Sequence, residues 1–393
     1  MDFEIPFGVR AHKYTEAEIA TVVAIMRDQA PLTQGRYLRE FEAHFCRYAG
    51  VAHAFAVSSA TAALEITAQL CQFESDDEVI IPAHTYTSSA YPFVKAGASM
   101  VWADIDPDAR VVTAKTIEPC ITPKTRVIVV PHLYGFGADM DQIMTLANEH
   151  EILVVEDAAQ AIGVRINDRM AGTFGHIGVY SFHSHKNMTT LGEGGMLVVR
   201  NPDWAQIAPM LRHNGHRPYP TDRPDYWLPA MTDVALPMLS GKPLLPMNCC
   251  LGELSSAMGI QLLDRVDEMS SQKRARALTV IDALADYPEL VFHREASNRH
   301  NYYLLAAYVR GGVRDRFIRH MAEHHGIQCV VQYYPLNRYS FYRNLGFGEA
   351  VVPNTDEFFD NMVSLPFSHL LTDQQITYMI EATCETLKWL KKN

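Results

Sequence analysis

Gly178-Val-Tyr-Ser-Phe-His-Ser-His-Lys186-Asn-Met-Thr-Thr-Leu-Gly-Glu-Gly-Gly195 decides how the rest of the chain is read. An apolar run ending at Ser181 has the look of a short buried strand, and glycine-rich backbone follows Lys186. About twenty-five residues upstream, a second apolar run, Ile152-Leu-Val-Val155, ends in Glu156-Asp157-Ala-Ala-Gln160. A carboxylate at one strand end and a lysine just past another form the pair that pyridoxal 5'-phosphate (PLP) requires. The lysine carries the cofactor as a Schiff base, and the aspartate pairs with its ring nitrogen. Either residue alone has a plainer reading, Lys186 as a solvated loop charge and Asp157 as a helix N-cap.

Working outward, strand and helix patterns alternate. Thr15-Glu-Ala-Glu18 opens a helix to about Asp28 with a capping-box pattern, and a second helix runs from Arg36 to Tyr48. Strands are expected at 52–57, 79–81, 100–102, 126–131, 152–155, 179–182 and 196–199, with helices at 60–71, 86–96 and 140–150. This alternation predicts an α/β fold with a mostly parallel sheet covered by helices, and ligands in such sheets sit at the carboxyl ends of strands. Residues 214–248 read as a long irregular connection rich in proline and aromatics, including Pro218, Tyr219, Tyr226 and Trp227. One long helix is expected from Gly252 to about Arg276. The division implied is a large domain over 1–248 and a smaller α+β domain over 249–393.

The chain has 393 residues, 48% hydrophobic and 20% charged, with a net charge of -11. That balance suits a globular enzyme with a large core and disfavours a nucleic-acid partner. No apolar stretch approaches the ~20 residues of a membrane helix, and Met1-Asp-Phe-Glu-Ile-Pro6 lacks signal-peptide character. The seven cysteines are irregularly spaced, with no Cys-x-x-Cys. We therefore expect a reduced, cytoplasmic protein without a zinc site.

Further candidates fall at strand ends. Val57-Ser58-Ser59-Ala60-Thr61 reads as strand, turn and helix start, a place for a phosphate or simply for N-capping by Ser59. Tyr86 follows another strand and either stacks on a flat ring or fills the core. Gln160 stands one helical turn past Asp157, within reach of a cofactor ring oxygen. His183 and His185 flank the lysine without the convergent partners a metal needs, so no metal is expected. Neither a nucleophile elbow, a P-loop nor a dinucleotide fingerprint appears, which argues against a Rossmann oxidoreductase.

These segments together resemble the DegT/DnrJ/EryC1/StrS family of PLP-dependent sugar aminotransferases. The resemblance rests on Ser58-Ser-Ala-Thr-Ala-Ala-Leu64, Pro82-Ala-His-Thr-Tyr-Thr87, His132-Leu-Tyr-Gly135, Val155-Glu-Asp-Ala-Ala-Gln-Ala161, Ser181-Phe-His-x-x-Lys186 and Gly192-Glu-Gly-Gly195. It continues through Asn248-Cys-Cys-Leu-Gly-Glu253, Tyr333-Tyr-Pro335 and Leu365-Pro-Phe367. It implies the aspartate aminotransferase fold (fold type I) and a homodimer with active sites shared at the interface. It makes Lys186 the catalytic, cofactor-bearing lysine, Asp157 the partner of the ring nitrogen and Gln160 the contact to the ring oxygen. Tyr86 would stack on the ring. Ala60, Thr61 and Ser181 would hold the phosphate, and Asn248 would reach it from the neighbouring subunit. Ala60 stands where the family commonly has glycine, and Cys250 where it commonly has arginine.

The resemblance also implies transfer of an amino group from L-glutamate to a sugar carbonyl. The chain as a whole is similar to the branch that aminates an oxidised Kdo sugar at C8 for lipopolysaccharide. Nucleotide-linked keto sugars are the alternative acceptors. His185, Arg217, Tyr334 and Arg338 are the candidate substrate contacts, the arginines because they suit carboxylates. A dehydratase branch carries histidine in place of the lysine, and Lys186 here favours transamination. A binding or regulatory role without catalysis is the remaining alternative, disfavoured by the intact Lys186, Asp157 and Gln160.

Overall fold

The computed structural model describes residues 2–8, 12–28, 31–217 and 233–392. The proline- and aromatic-rich part of the long connection, with Pro218, Tyr219, Arg223, Tyr226 and Trp227, lies outside the described residues.

A seven-stranded sheet organises the chain, in the spatial order 54–57, 195–199, 177–181, 153–157, 125–131, 78–82 and 99–103. Gly195–Val199 runs antiparallel to both neighbours, while the other strands run parallel to one another. The central parallel strands 78–82, 125–131 and 153–157 carry runs of Val, Ile and Leu because both faces are covered. Side chains alternate between the two faces. Ile80, Ile128 and Val154 enter one core with Phe41, Phe45 and Tyr180; Val79, Ile81, Val127, Val129 and Val155 enter the other with Leu64 and Ile66.

Local sequence explains the flanking helices. Arg36–Ala49 buries Leu38, Phe41, Phe45 and Ala49 at helical spacing and stops at Gly50, whose φ of 69° suits glycine. Ala60–Cys71 starts where the Ser59 side chain accepts from the Ala62 N–H at 3.1 Å. A smaller antiparallel sheet, 290–292, 305–309 and 362–365, packs a third core with helices Arg314–His325 and Asp373–Lys392.

Two expected helices are corrected. The single helix expected over 252–276 is two, Glu253–Leu263 and Val266–Ala283. The break carries tertiary contacts, His44 Nε2 with Asp264 Oδ1 at 3.0 Å and the ion pair of Glu18 with Arg265. The helix expected over 86–96 is a 3₁₀ turn, Thr87–Ser89, followed by the short helix Tyr91–Lys95, which carries Pro92 in its first turn. Proline suits a first turn and not a helix interior.

Candidate active site

The parallel strands all end at one edge of the sheet, and the chemistry-bearing residues follow those ends. Ser59, Ala60 and Thr61 come after strand 54–57, Tyr86 after 78–82, and His132 after 125–131. Asp157 closes strand 153–157, Ser181 closes 177–181, and Lys186 lies on the loop that follows. All of them line one cavity of about 350 Å³, together with Gln160 and His185. The antiparallel strand 195–199 begins at the same edge, so Gly195 pairs with both Val57 and Ser181.

Gly195 sets how closely the turn at Ser59 approaches. A Cβ there would lie 2.5 Å from the Ser59 carbonyl carbon and 2.6 Å from the Ala60 nitrogen. Only glycine lets the start of helix Ala60–Cys71 sit over the strand. That first turn has N–H groups without intrahelical acceptors, which favour an anion. The Thr61 hydroxyl donates to Ser88 Oγ at 3.0 Å, and Ser181 lies close to the same edge, buried. We expect Gly195→Ala to cost about 1–3 kcal/mol of stability, as overpacking does, and to weaken phosphate-ester binding. Thermal denaturation with and without added PLP checks both effects.

Asp157 is 8% exposed, and both its oxygens are engaged. Ser89 Oγ donates to Oδ2 at 2.6 Å, and the Ala159 N–H donates to Oδ1 at 3.0 Å. The carboxylate is thus held in one orientation facing the cavity. Its neighbour Glu156 is fully buried on the opposite side of the strand and accepts from the Gly172 and Gly175 N–H groups and from His132 Nε2. His132 Nδ1 accepts from the Ala138 N–H, which places the ring proton on Nε2. Gln160 is likewise fixed: Oε1 accepts from the Tyr134 N–H at 2.7 Å, and Nε2 donates to Tyr333 Oη at 3.2 Å.

Lys186 is half-buried, with Nζ 4.5 Å from the centroid of the Tyr303 ring. Its backbone N–H donates to the His183 carbonyl, and its carbonyl accepts from His12 Nε2 at 2.9 Å. The lysine loop is therefore tied at both backbone ends while the side chain faces the cavity. Tyr86 is 53% exposed, its ring set edge-on to Tyr333 at 5.8 Å.

The remaining candidates lie elsewhere. Arg217 is paired with Asp233 at 2.6 Å, and Arg338 with Asp356 and Asp360. Neither lines the cavity of its own chain. Tyr334 is exposed and packs on Tyr339 and Phe359, whereas its neighbour Tyr333 lines the cavity. Asn248 is exposed and outside its own chain's cavity. Sequence reasoning missed Ser89, Tyr303, Tyr333 and Lys273. Thr87-Ser-Ser89 gave a signal for the first, while the others are brought in from distant segments.

A family model matches residues 12–383. The chain belongs to the DegT/DnrJ/EryC1/StrS aminotransferase family. Among relatives of this aminotransferase, the spore coat polysaccharide biosynthesis protein SpsC of Bacillus subtilis (strain 168) is 29% identical over 363 residues, 91% of each chain. The GDP-perosamine synthase of Caulobacter vibrioides is 36% identical over 234 residues, 60% of this chain and 58% of that one. A proposed sugar aminotransferase of Streptococcus pneumoniae, solved in its PLP form, superposes with a TM-score of 0.86 at 25% identity, covering 99% of this chain and 100% of that one. The sheet and its helices are thus the type I aminotransferase fold, and the aminotransferase is PLP-dependent. The donor set fits that cofactor: an oriented carboxylate, a fixed amide, a helix N-terminus behind a glycine cradle and a lysine converge on one cavity. Among the described residues no helix is long and apolar enough to cross a membrane.

Proposed function

We propose that this aminotransferase moves an amino group from L-glutamate to a sugar carbonyl, the C8 aldehyde of an oxidised Kdo sugar, in lipopolysaccharide assembly in the cytoplasm. The observation that carries the transamination is the meeting of Lys186, Asp157 and Gln160 around one cavity at the sheet edge. PLP, when bound, supplies an electrophilic carbon and an electron-withdrawing ring. Lys186 Nζ holds the cofactor between turnovers. When not holding the cofactor, the same nitrogen would move the proton at the carbon that loses or gains nitrogen. Asp157 keeps a proton on the ring nitrogen, and Ser89 keeps Asp157 aimed at it. Gln160, locked by Tyr134 and Tyr333, orients the ring through its oxygen. Ala60, Thr61 and Ser181 hold the phosphate, and Tyr86 covers the ring.

The reading includes a homodimer. Asn248 is exposed and does not enter its own cavity, which suits a residue that reaches the neighbouring subunit's phosphate. His185, which lines the cavity, is the remaining candidate contact for the acceptor. The likeness to GDP-perosamine synthase favours a second acceptor class, a nucleotide-linked keto sugar. Enzyme carrying the amino form of the cofactor separates the two. We expect the C8 aldehyde of oxidised Kdo to discharge it and a GDP-linked keto sugar to leave it unchanged. Discharge by the nucleotide sugar alone would reject the Kdo acceptor.

A further inference from the structure

A second cavity, of about 120 Å³, adjoins the first and shares His185, Lys186, Tyr303 and Gln332 with it. Lys273, on helix Val266–Ala283, lines it and is only 8% exposed. Its Nζ donates to Asn187 Oδ1 at 2.9 Å and to the Tyr303 carbonyl at 3.0 Å. Both acceptors are neutral, and an ammonium has three N–H groups. No aspartate or glutamate lines the cavity. The surroundings are instead rich in positive or neutral groups: Lys186 and Lys273 stand 4.5 and 5.7 Å from the centroid of the same Tyr303 ring, and His369 lines the wall. Burial pushes the Lys273 ammonium down to about 7, with no carboxylate to offset it.

Asn187 adds a second observation. Its Oδ1 accepts from Lys273, which fixes the orientation of the amide and leaves Nδ2 as the free donor. That Nδ2 is buried and has no hydrogen-bond partner among the described residues. An unpaired buried charge and an unmet buried donor are each costly. Here both stand at one cavity beside the reactive lysine, and both call for an acceptor that carries negative charge.

We propose that this chamber is a carboxylate-binding subsite, in which Lys273 and Asn187 Nδ2 receive a carboxylate of a substrate whose reacting carbon lies at Lys186. The inference rests on the transamination reading and names the recognition element of that same site. The carboxylate belongs either to the amino-acid donor or to a sugar-acid acceptor, and the shared chemistry is an anion with two coplanar oxygens.

The test uses PLP-loaded enzyme and two unreactive probes, glutarate and its neutral analogue glutaramide, titrated by calorimetry. Wild type is expected to prefer glutarate by about 10–100-fold, the range for hydrogen bonds to a charged group. Lys273→Met removes the cation, and Asn187→Asp sets an internal carboxylate against it. Either is expected to bring the preference close to one, with glutaramide binding unchanged, while Lys273→Arg keeps part of it. No preference in wild type, or equal loss of both probes in the variants, overturns the subsite and leaves Lys273 as a tie between the lysine loop and Tyr303. The half-reactions identify the source. In Lys273→Met, a raised KM for L-glutamate alone assigns the carboxylate to the donor, and a raised KM for the aldehydo-sugar acid alone assigns it to the acceptor. Failure of the transamination reading is seen separately, as wild-type enzyme that keeps its glutarate preference yet is not converted by any amino donor.

Discussion

Lys186→Ala is expected to lower turnover by at least about 10³-fold, since it removes both the nucleophile and the group that moves the proton; the acid–base role alone is worth ~10²–10⁴-fold. The fold should survive. Lys186 is half-buried, its side chain makes a ring contact with Tyr303, and the loop is held through backbone atoms by His183 and His12. A surface-like truncation of this kind shifts stability by no more than about 0.5–1 kcal/mol. The check is a single-turnover measurement with L-glutamate, followed by cofactor absorbance, beside a thermal melt. Near wild-type turnover in a folded variant would remove Lys186 from its assigned role.

Asp157→Asn carries the second large effect. The substitution keeps the shape and the hydrogen bond from the Ala159 N–H but removes the negative charge. The neighbouring carboxylate of Glu156 cannot take over that role, because it is turned away and engaged with His132, Gly172 and Gly175. Loss of one oriented electrostatic partner costs on the order of 10²–10³-fold in rate. We expect a fall of that size in kcat, with PLP still bound through the lysine and the phosphate cradle. Ser89→Ala should give a smaller fall in the same direction, since Asp157 would keep its charge and lose one of its two restraints. A variant Asp157→Asn with unchanged kcat would contradict the placement of the ring nitrogen at this carboxylate.

The sheet was legible because its signals are local. Val154 to Asp157 and Val127 to Pro131 are strand segments buried on both faces, and the polar residues that end or follow them fall at the sheet edge by topology alone. Lys186, Asp157, Gln160, Ala60, Thr61, Tyr86 and Ser181 are all within a few residues of a strand end, and they share one cavity for that reason. Lys273 carried no such signal. In Gln272-Lys273-Arg274 it looks like any solvated charge on a helix, and only packing of that helix against Asn187 and Tyr303 buries it. Tyr303 and Tyr333 reach the cavity from segments over 100 residues beyond Lys186 in sequence. Arg217 and Arg338 stand outside the cavity of their own chain, paired with Asp233, Asp356 and Asp360, and a sequence does not distinguish such an arginine from an unpaired one. The break at Asp264–Arg265 was hidden for the same reason, being stabilised by His44 and Glu18 from other helices rather than by glycine or proline.

Lys186 is expected to hold PLP while an amino group leaves L-glutamate. Absorption spectra of the purified protein before and after L-glutamate test this directly. The expected result is a band of lysine-linked cofactor in the resting protein, absent in Lys186→Ala, that gives way to the amino form when L-glutamate is added. A protein that takes up PLP but keeps an unchanged spectrum with L-glutamate would exclude glutamate as the donor, and the same lysine-linked band in Lys186→Ala would exclude Lys186 as the residue that holds the cofactor.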